Sequence, residues 1–158
     1  MRKTNIKTST DLKSSIISLL GSTRGTVHVA GPPAILKIPA LNHFDLADEN
    51  HGPWDACIIY RKLGKDKGLN KKILNWYILN TKDDGIIISI DYSIIREGNG
   101  TFFHRLADKT GLTINAADMT ELFMSCSLKY PTQVWTQGIR SFVVTSGIKK
   151  NPIFEVNN

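Results

Sequence analysis

Asp55-Ala56-Cys57-Ile58-Ile59-Tyr60 and Ile86-Ile87-Ile88-Ser89-Ile90 decide how this chain folds. Each is a short, nearly unbroken apolar run rich in β-branched residues, the pattern of a strand covered on both faces. Between them, Leu69, Ile73, Trp76, Tyr77 and Asn80 recur at helical spacing, which predicts a helix over 69–80 with that side turned inward. Trp76 and Tyr77 are therefore expected in the core. Lys82-Asp83-Asp84-Gly85 reads as a turn. Residues 55–91 thus read strand, helix, strand, and a right-handed crossover makes the two strands parallel neighbours.

Working outward, Thr10-Asp11 starts a helix whose Leu12, Ile16, Leu19 and Leu20 share one face, and Gly21 stops it. Thr26 to Ala30 reads as a strand ended by Gly31-Pro32-Pro33, because two prolines remove two donors from any ladder. Ala34 to Ile38 is a further strand candidate, and Phe44 to Asp48 a weaker one. Thr101 caps a helix through Lys109, and Asn115 caps another with Ala116, Met119, Leu122 and Phe123 inside. Gln133 to Thr136 and Ile139 to Thr145 flank Gln137-Gly138 as an antiparallel hairpin. The expected fold is α/β: a Rossmann-like mixed sheet, parallel in the centre, with a C-terminal antiparallel hairpin and helices on both faces. Its 158 residues suit one domain, with 1–9 and 148–158 as loose arms.

Composition narrows the function classes. Hydrophobic residues are 41% and charged residues 22%, which argues against wholesale disorder. No apolar run reaches the roughly 18–20 residues of a membrane span. The basic, polar N-terminus lacks a signal-peptide core. Two cysteines, Cys57 and Cys126, point to reduced thiols and a cytoplasmic setting. A net charge of +6 favours anionic partners, nucleic acid or another polyanion.

Chemistry-bearing constellations are few. His28, His43, His51 and His104 lack zinc spacing, and His43, Asp45, Asp48 and His51 read as a polar surface loop. Cys57 reads as core packing, and Ser125-Cys126-Ser127 as a helix end without a base. There is no nucleophile elbow and no phosphate loop. Gly98-Asn99-Gly100-Thr101 reads as a turn and cap, or as an anion site on free N–H groups. From Arg61 to Lys72, the cations Arg61, Lys62, Lys65, Lys67, Lys71 and Lys72 meet one acid, Asp66. They form either a solvated helix start or a phosphate-holding rim where ligand sites of open α/β sheets collect. Asp91, after its strand, is placed to hold a hydroxyl or an amine. Asp55 belongs to the opposite rim.

From Phe44 onward the order of elements resembles the second half of a class I S-adenosylmethionine-dependent methyltransferase, most closely the ribose 2′-O-methyltransferase branch. Phe44-Asp45-Leu46-Ala47-Asp48 resembles the third strand and its acidic loop, Trp54 to Tyr60 the fourth strand, and Asp83 to Ile88 the turn into the fifth. Trp135-Thr136 through Gly147 is similar to the closing hairpin. The place of the family's glycine-rich loop holds Ala30-Gly31-Pro32-Pro33, and only ten residues, Pro32 to Leu41, separate it from the strand likened to the family's third, too few for a helix, a strand and another helix. The N-terminal half is therefore abridged. The resemblance implies S-adenosylmethionine as cofactor, facing Gly31, Asp45, Asp48 and Asp91, and transfer of a methyl group to nucleic acid or another anion. The alternative is a non-catalytic nucleic-acid-binding or assembly module with a degenerate methyltransferase-like fold.

Overall fold

The structure is a computed structural model and describes residues 8–32, 35, 37–93, 109, 113–136 and 142–150. Its elements are α1 (Thr8–Leu20), β1 (Gly25–Ala30), a 3-10 turn (Pro39–His43), β2 (Phe44–Leu46), β3 (Trp54–Tyr60), α2 (Lys67–Leu79), β4 (Thr81–Ser93), β5 (Thr113–Ile114), α3 (Ala116–Ser125), β6 (Leu128–Trp135) and β7 (Phe142–Lys149). One seven-stranded sheet runs β2-β1-β3-β4-β7-β6, with β5 added to β4. β2, β1, β3 and β4 are parallel. β7 runs antiparallel to β4 and β6 antiparallel to β7. The mixed sheet expected from the sequence is present, with its two apolar runs side by side and parallel.

The side-chain period of two sorts the core into two layers. Ala56 and Ile58 of β3 and Ile86, Ile88 and Ile90 of β4 face α1, where Ile16 and Leu20 pack with Ile35, Ile38 and Leu41. Cys57, Ile59 and Ile87 face the other way, onto Leu74 and Tyr77 of α2 and Met119 and Phe123 of α3. Helices cover both faces. Among the described residues, no helix is long and apolar enough to cross a membrane.

Several elements depart from the sequence expectation. Ile35 is helical and Lys37 lies in a turn, with the Ile35 N–H donating to Pro32 O and the Ile38 N–H to Ile35 O, so neither residue takes part in the strand expected over 34–38. Prolines on both sides leave too little uninterrupted backbone for a ladder. The strand likened to the family's third lies directly against β1, Phe44 opposite Gly25. Residues 82–85 belong to β4 rather than to a separate turn. They bulge where the pairing steps from Trp54–Thr81 to Ala56–Ile86. A Cβ on Gly85 would stand 2.7 Å from Lys82 O, so the bulge admits only glycine.

Helix α2 begins at the Asp66 cap, whose carboxylate accepts from the Leu69 N–H at 3.0 Å. Its inward side is Asn70, Leu74 and Tyr77, while Leu69 and Trp76 are 53% and 42% exposed. The helix is therefore rotated from the side read in the sequence, and Trp76 is not core. Asn70 decides the phase: its amide donates to Gly64 O at 2.7 Å and accepts from Gly64 N at 2.9 Å. Satisfying the loop's backbone outweighs turning Leu69 inward. Helix α3 matches expectation, capped by Asn115 Oδ1 on the Ala117 N–H at 2.8 Å. The expected helix over 101–109 and the Gly98 loop lie outside the described residues, apart from the helical Lys109.

Candidate functional site

Because β1, β3 and β4 are parallel, their C-terminal tips share one rim. The connection leaving β1 packs on the α1 face, through Ile35, Ile38 and Leu41, and leads outward to β2. The connection leaving β3 is α2, on the opposite face, and leads the other way to β4. Strand order therefore reverses between β1 and β3. Open α/β sheets bind ligands outside the strand tips at such a reversal.

Gly31 stands at that point. A Cβ there would lie 2.7 Å from Tyr60 Cβ, so the backbone leaving β1 presses against the end of β3. Arg61 follows in the left-handed region, φ 54°, and its N–H donates to Ile90 O at 2.7 Å. Its guanidinium lies 4.3 Å over the Tyr92 ring, and Tyr92 stacks on Phe142 at 5.0 Å. The rim thus presents a side-chain-free backbone and a cation stacked over a buried aromatic pair.

Beneath this rim, Asp91 is fully buried. The Ser89 hydroxyl donates to its Oδ2, and its Oδ1 has no hydrogen-bond partner. Burial pushes its carboxyl up to about 7, against the opposing pull of Ser89, the Leu63 amide and the Arg61 charge.

The four carboxylate and glycine positions expected at a cofactor are not gathered together. Asp45 is exposed on β2 and paired in register with Thr26. Thr26 precedes Gly31 by five residues, about 16 Å along a strand. Asp48 is exposed and bound to His51, with its oxygen also accepting from the Asn50 N–H at 2.9 Å. The His51 and Asn50 contacts hold its carboxyl below the usual range, although burial opposes them. Its backbone O accepts from the Trp54 indole at 3.2 Å, which ties this loop to the start of β3. Gly31 and Asp91 are the two that belong to the strand-tip rim. Asp55 lies at the opposite end, where its carboxylate accepts from Thr26 N at 2.8 Å and Lys82 Nζ at 3.0 Å.

The six expected phosphate-binding cations fall into three settings. Arg61 is half-buried on Tyr92. Lys62 and Lys72 are exposed. Lys65, Lys67 and Lys71 line a cleft of about 270 Å³ between α2 and α3. Its other wall carries Asp118 and Glu121, which the sequence reading passed over. Their i, i+3 spacing on a helix was the available signal, since such residues share a side. Among the described residues, no three His, Cys, Asp or Glu side chains gather as metal ligands.

No protein-family model matches the sequence, and no curated protein does. Solved structures do share its architecture. One is the S-adenosylmethionine-dependent methyltransferase SibL in its apo form, at 10% identity and TM-score 0.62, covering 90% of this chain and 56% of that one. Another is human N-acetylserotonin methyltransferase with bound SAM, at 14% and 0.64, covering 88% and 52%. A third is the N-methyltransferase NodS of Bradyrhizobium japonicum WM9, at 10% and 0.58, covering 90% and 96%. The fold is that of S-adenosylmethionine-dependent methyltransferases. The chain spans just over half the length of the first two and nearly all of NodS. At these identities the likeness is one of methyltransferase fold.

Proposed function

We propose that the protein binds S-adenosylmethionine at the β1–β3 strand tips and is methyltransferase-like toward nucleic acid or another anionic acceptor in the cytoplasm. The observation that carries this reading is the reversal of strand order at Gly31, in a fold that solved SAM-bound methyltransferases share. The residues fit the group in part. Gly31 brings bare backbone to the rim, and the half-buried Tyr60 offers aromatic surface beside it. S-adenosylmethionine supplies an activated methyl on a sulfonium, so this chain's task is alignment of the acceptor rather than nucleophilic attack. That agrees with Cys57, whose thiol burial pushes far up and out of reach of chemistry. The net charge of +6 and the exposed Lys62 and Lys72 support an anionic acceptor.

A second reading is a non-catalytic nucleic-acid-binding or assembly module of the same fold. The short path from β1 to β2 and the distance of Asp45 from Gly31 favour it. Calorimetric titration with S-adenosylmethionine and S-adenosylhomocysteine separates the two. The first reading expects heat with either ligand, and a rise in melting temperature from roughly 2.7 kcal/mol of linkage at a hundredfold excess over Kd. No heat and no shift overturns it. RNA binding that falls steeply with salt, and weakens in Lys62→Glu/Lys72→Glu, supports the nucleic-acid acceptor or partner. Binding indifferent to those changes removes it.

A further inference from the structure

We propose that the cleft between α2 and α3 is a binding site for a small zwitterion, one that carries an acid group and an amine. Its place follows from the topology. β5 pairs with β4 at Tyr92 and Ser93, just past Ile90, where β3 ends at Tyr60. β7 occupies the other edge of Tyr92, so β5 takes up the edge that β3 leaves. Helix α3 starts immediately after β5, and α2 starts after the loop leaving β3. The two helix starts therefore flank one cleft beside the strand tips, and its volume of about 270 Å³ is enough for a small molecule.

The walls have opposite sign. Lys67 and Lys71 stand one turn apart on α2, and Asp118 and Glu121 stand one turn apart on α3, with Ile114 and Leu122 between. Across the cleft Lys67 Nζ and Asp118 Oδ1 stand 3.7 Å apart with both side chains well exposed, a contact worth little. A simple anion gains from the lysines but is repelled by two carboxylates. A simple cation meets the converse. A molecule bearing both charges satisfies both walls, and this mutual exclusion sets the specificity. The site is separate from the β1–β3 tips, so its occupancy is measured without cofactor.

The test is titration of the isotopically labelled protein with phosphoethanolamine and 4-aminobutyrate, followed by NMR. We expect saturable shifts confined to 64–71 and 113–125. Lys71→Ala and Glu121→Ala should each weaken binding about tenfold, while Lys13→Ala, exposed on α1 at the opposite face of the sheet, leaves it unchanged. The absence of shifts with both compounds overturns the proposal. So does equal binding of inorganic phosphate or ethylamine, or insensitivity to both cleft variants. Failure to bind S-adenosylmethionine would leave the result standing, because no cofactor is present in this experiment.

Discussion

The Ser89 hydroxyl donates to one oxygen of Asp91, while the other oxygen is buried against no partner. Both residues lie on β4, two apart, and so point to the same face of the sheet. A carboxyl held this way binds its proton more tightly folded, about 7, than unfolded, 3.8. Its favourable contribution is complete below pH 4 and is lost as pH rises through 7. The ceiling on that loss is roughly 4 kcal/mol. Denaturant melts at pH 5 and pH 8 should show wild type losing stability across the interval. Asp91→Asn should lose markedly less, and an equal slope in both proteins would contradict the assignment.

Gly31 meets Tyr60 too closely for any side chain. Gly31→Ala should destabilise by about 1–3 kcal/mol, the usual cost of overpacking. Thermal unfolding followed by circular dichroism reads this as a drop of several degrees. An unchanged melting temperature would mean that β1 leaves the sheet by another path.

The phase of α2 is open to a paired comparison. Leu74 is fully buried and Leu79 is 76% exposed. Leu74→Ala should cost about 2–5 kcal/mol. Leu79→Ala should stay within about 0.5 kcal/mol. Similar losses in urea melts would return the helix to the orientation read from its sequence.

Asp55 ties three strands, through the Thr26 N–H and hydroxyl of β1 and Lys82 of β4. Burial raises its carboxyl, but the Thr26 and Lys82 contacts outweigh this and leave it below the ordinary value. The stability it confers is present above the unfolded value and is lost as pH falls through the folded one. Asp55→Asn should therefore cost about 1–3 kcal/mol at pH 7. The gap from wild type should narrow in melts taken toward pH 3, and a gap that widens there would refute the sign.

The parallel pair β3–β4, the capped α3 and the closing hairpin were all legible because each rests on local signals. Those signals are an unbroken apolar run, a side-chain cap two residues from the N–H it satisfies, and two β-rich runs close in sequence. The orientation of α2 was not legible. Its apolar residues mark two overlapping sides, and the choice between them depends on Asn70 meeting Gly64 in a loop before the helix. The acidic wall of the cleft escaped for a related reason. Asp118 and Glu121 gain meaning only when the fold sets them against Lys67 and Lys71, about fifty residues away in the chain.

The amino-acid order by itself determined the layered α/β architecture, since unbroken apolar strands must be covered on both faces. Tertiary structure alone decided which polar groups face one another. Gly31 comes to rest on Tyr60, Arg61 on Tyr92, and Asp45 far from all of them. Strand periodicity assigns a residue to a face, whereas its partners across the sheet depend on register and on how far each strand extends. β2 spans only three residues, paired with Gly25 to Val27 in the first half of β1, and this short reach keeps its acid from the rim.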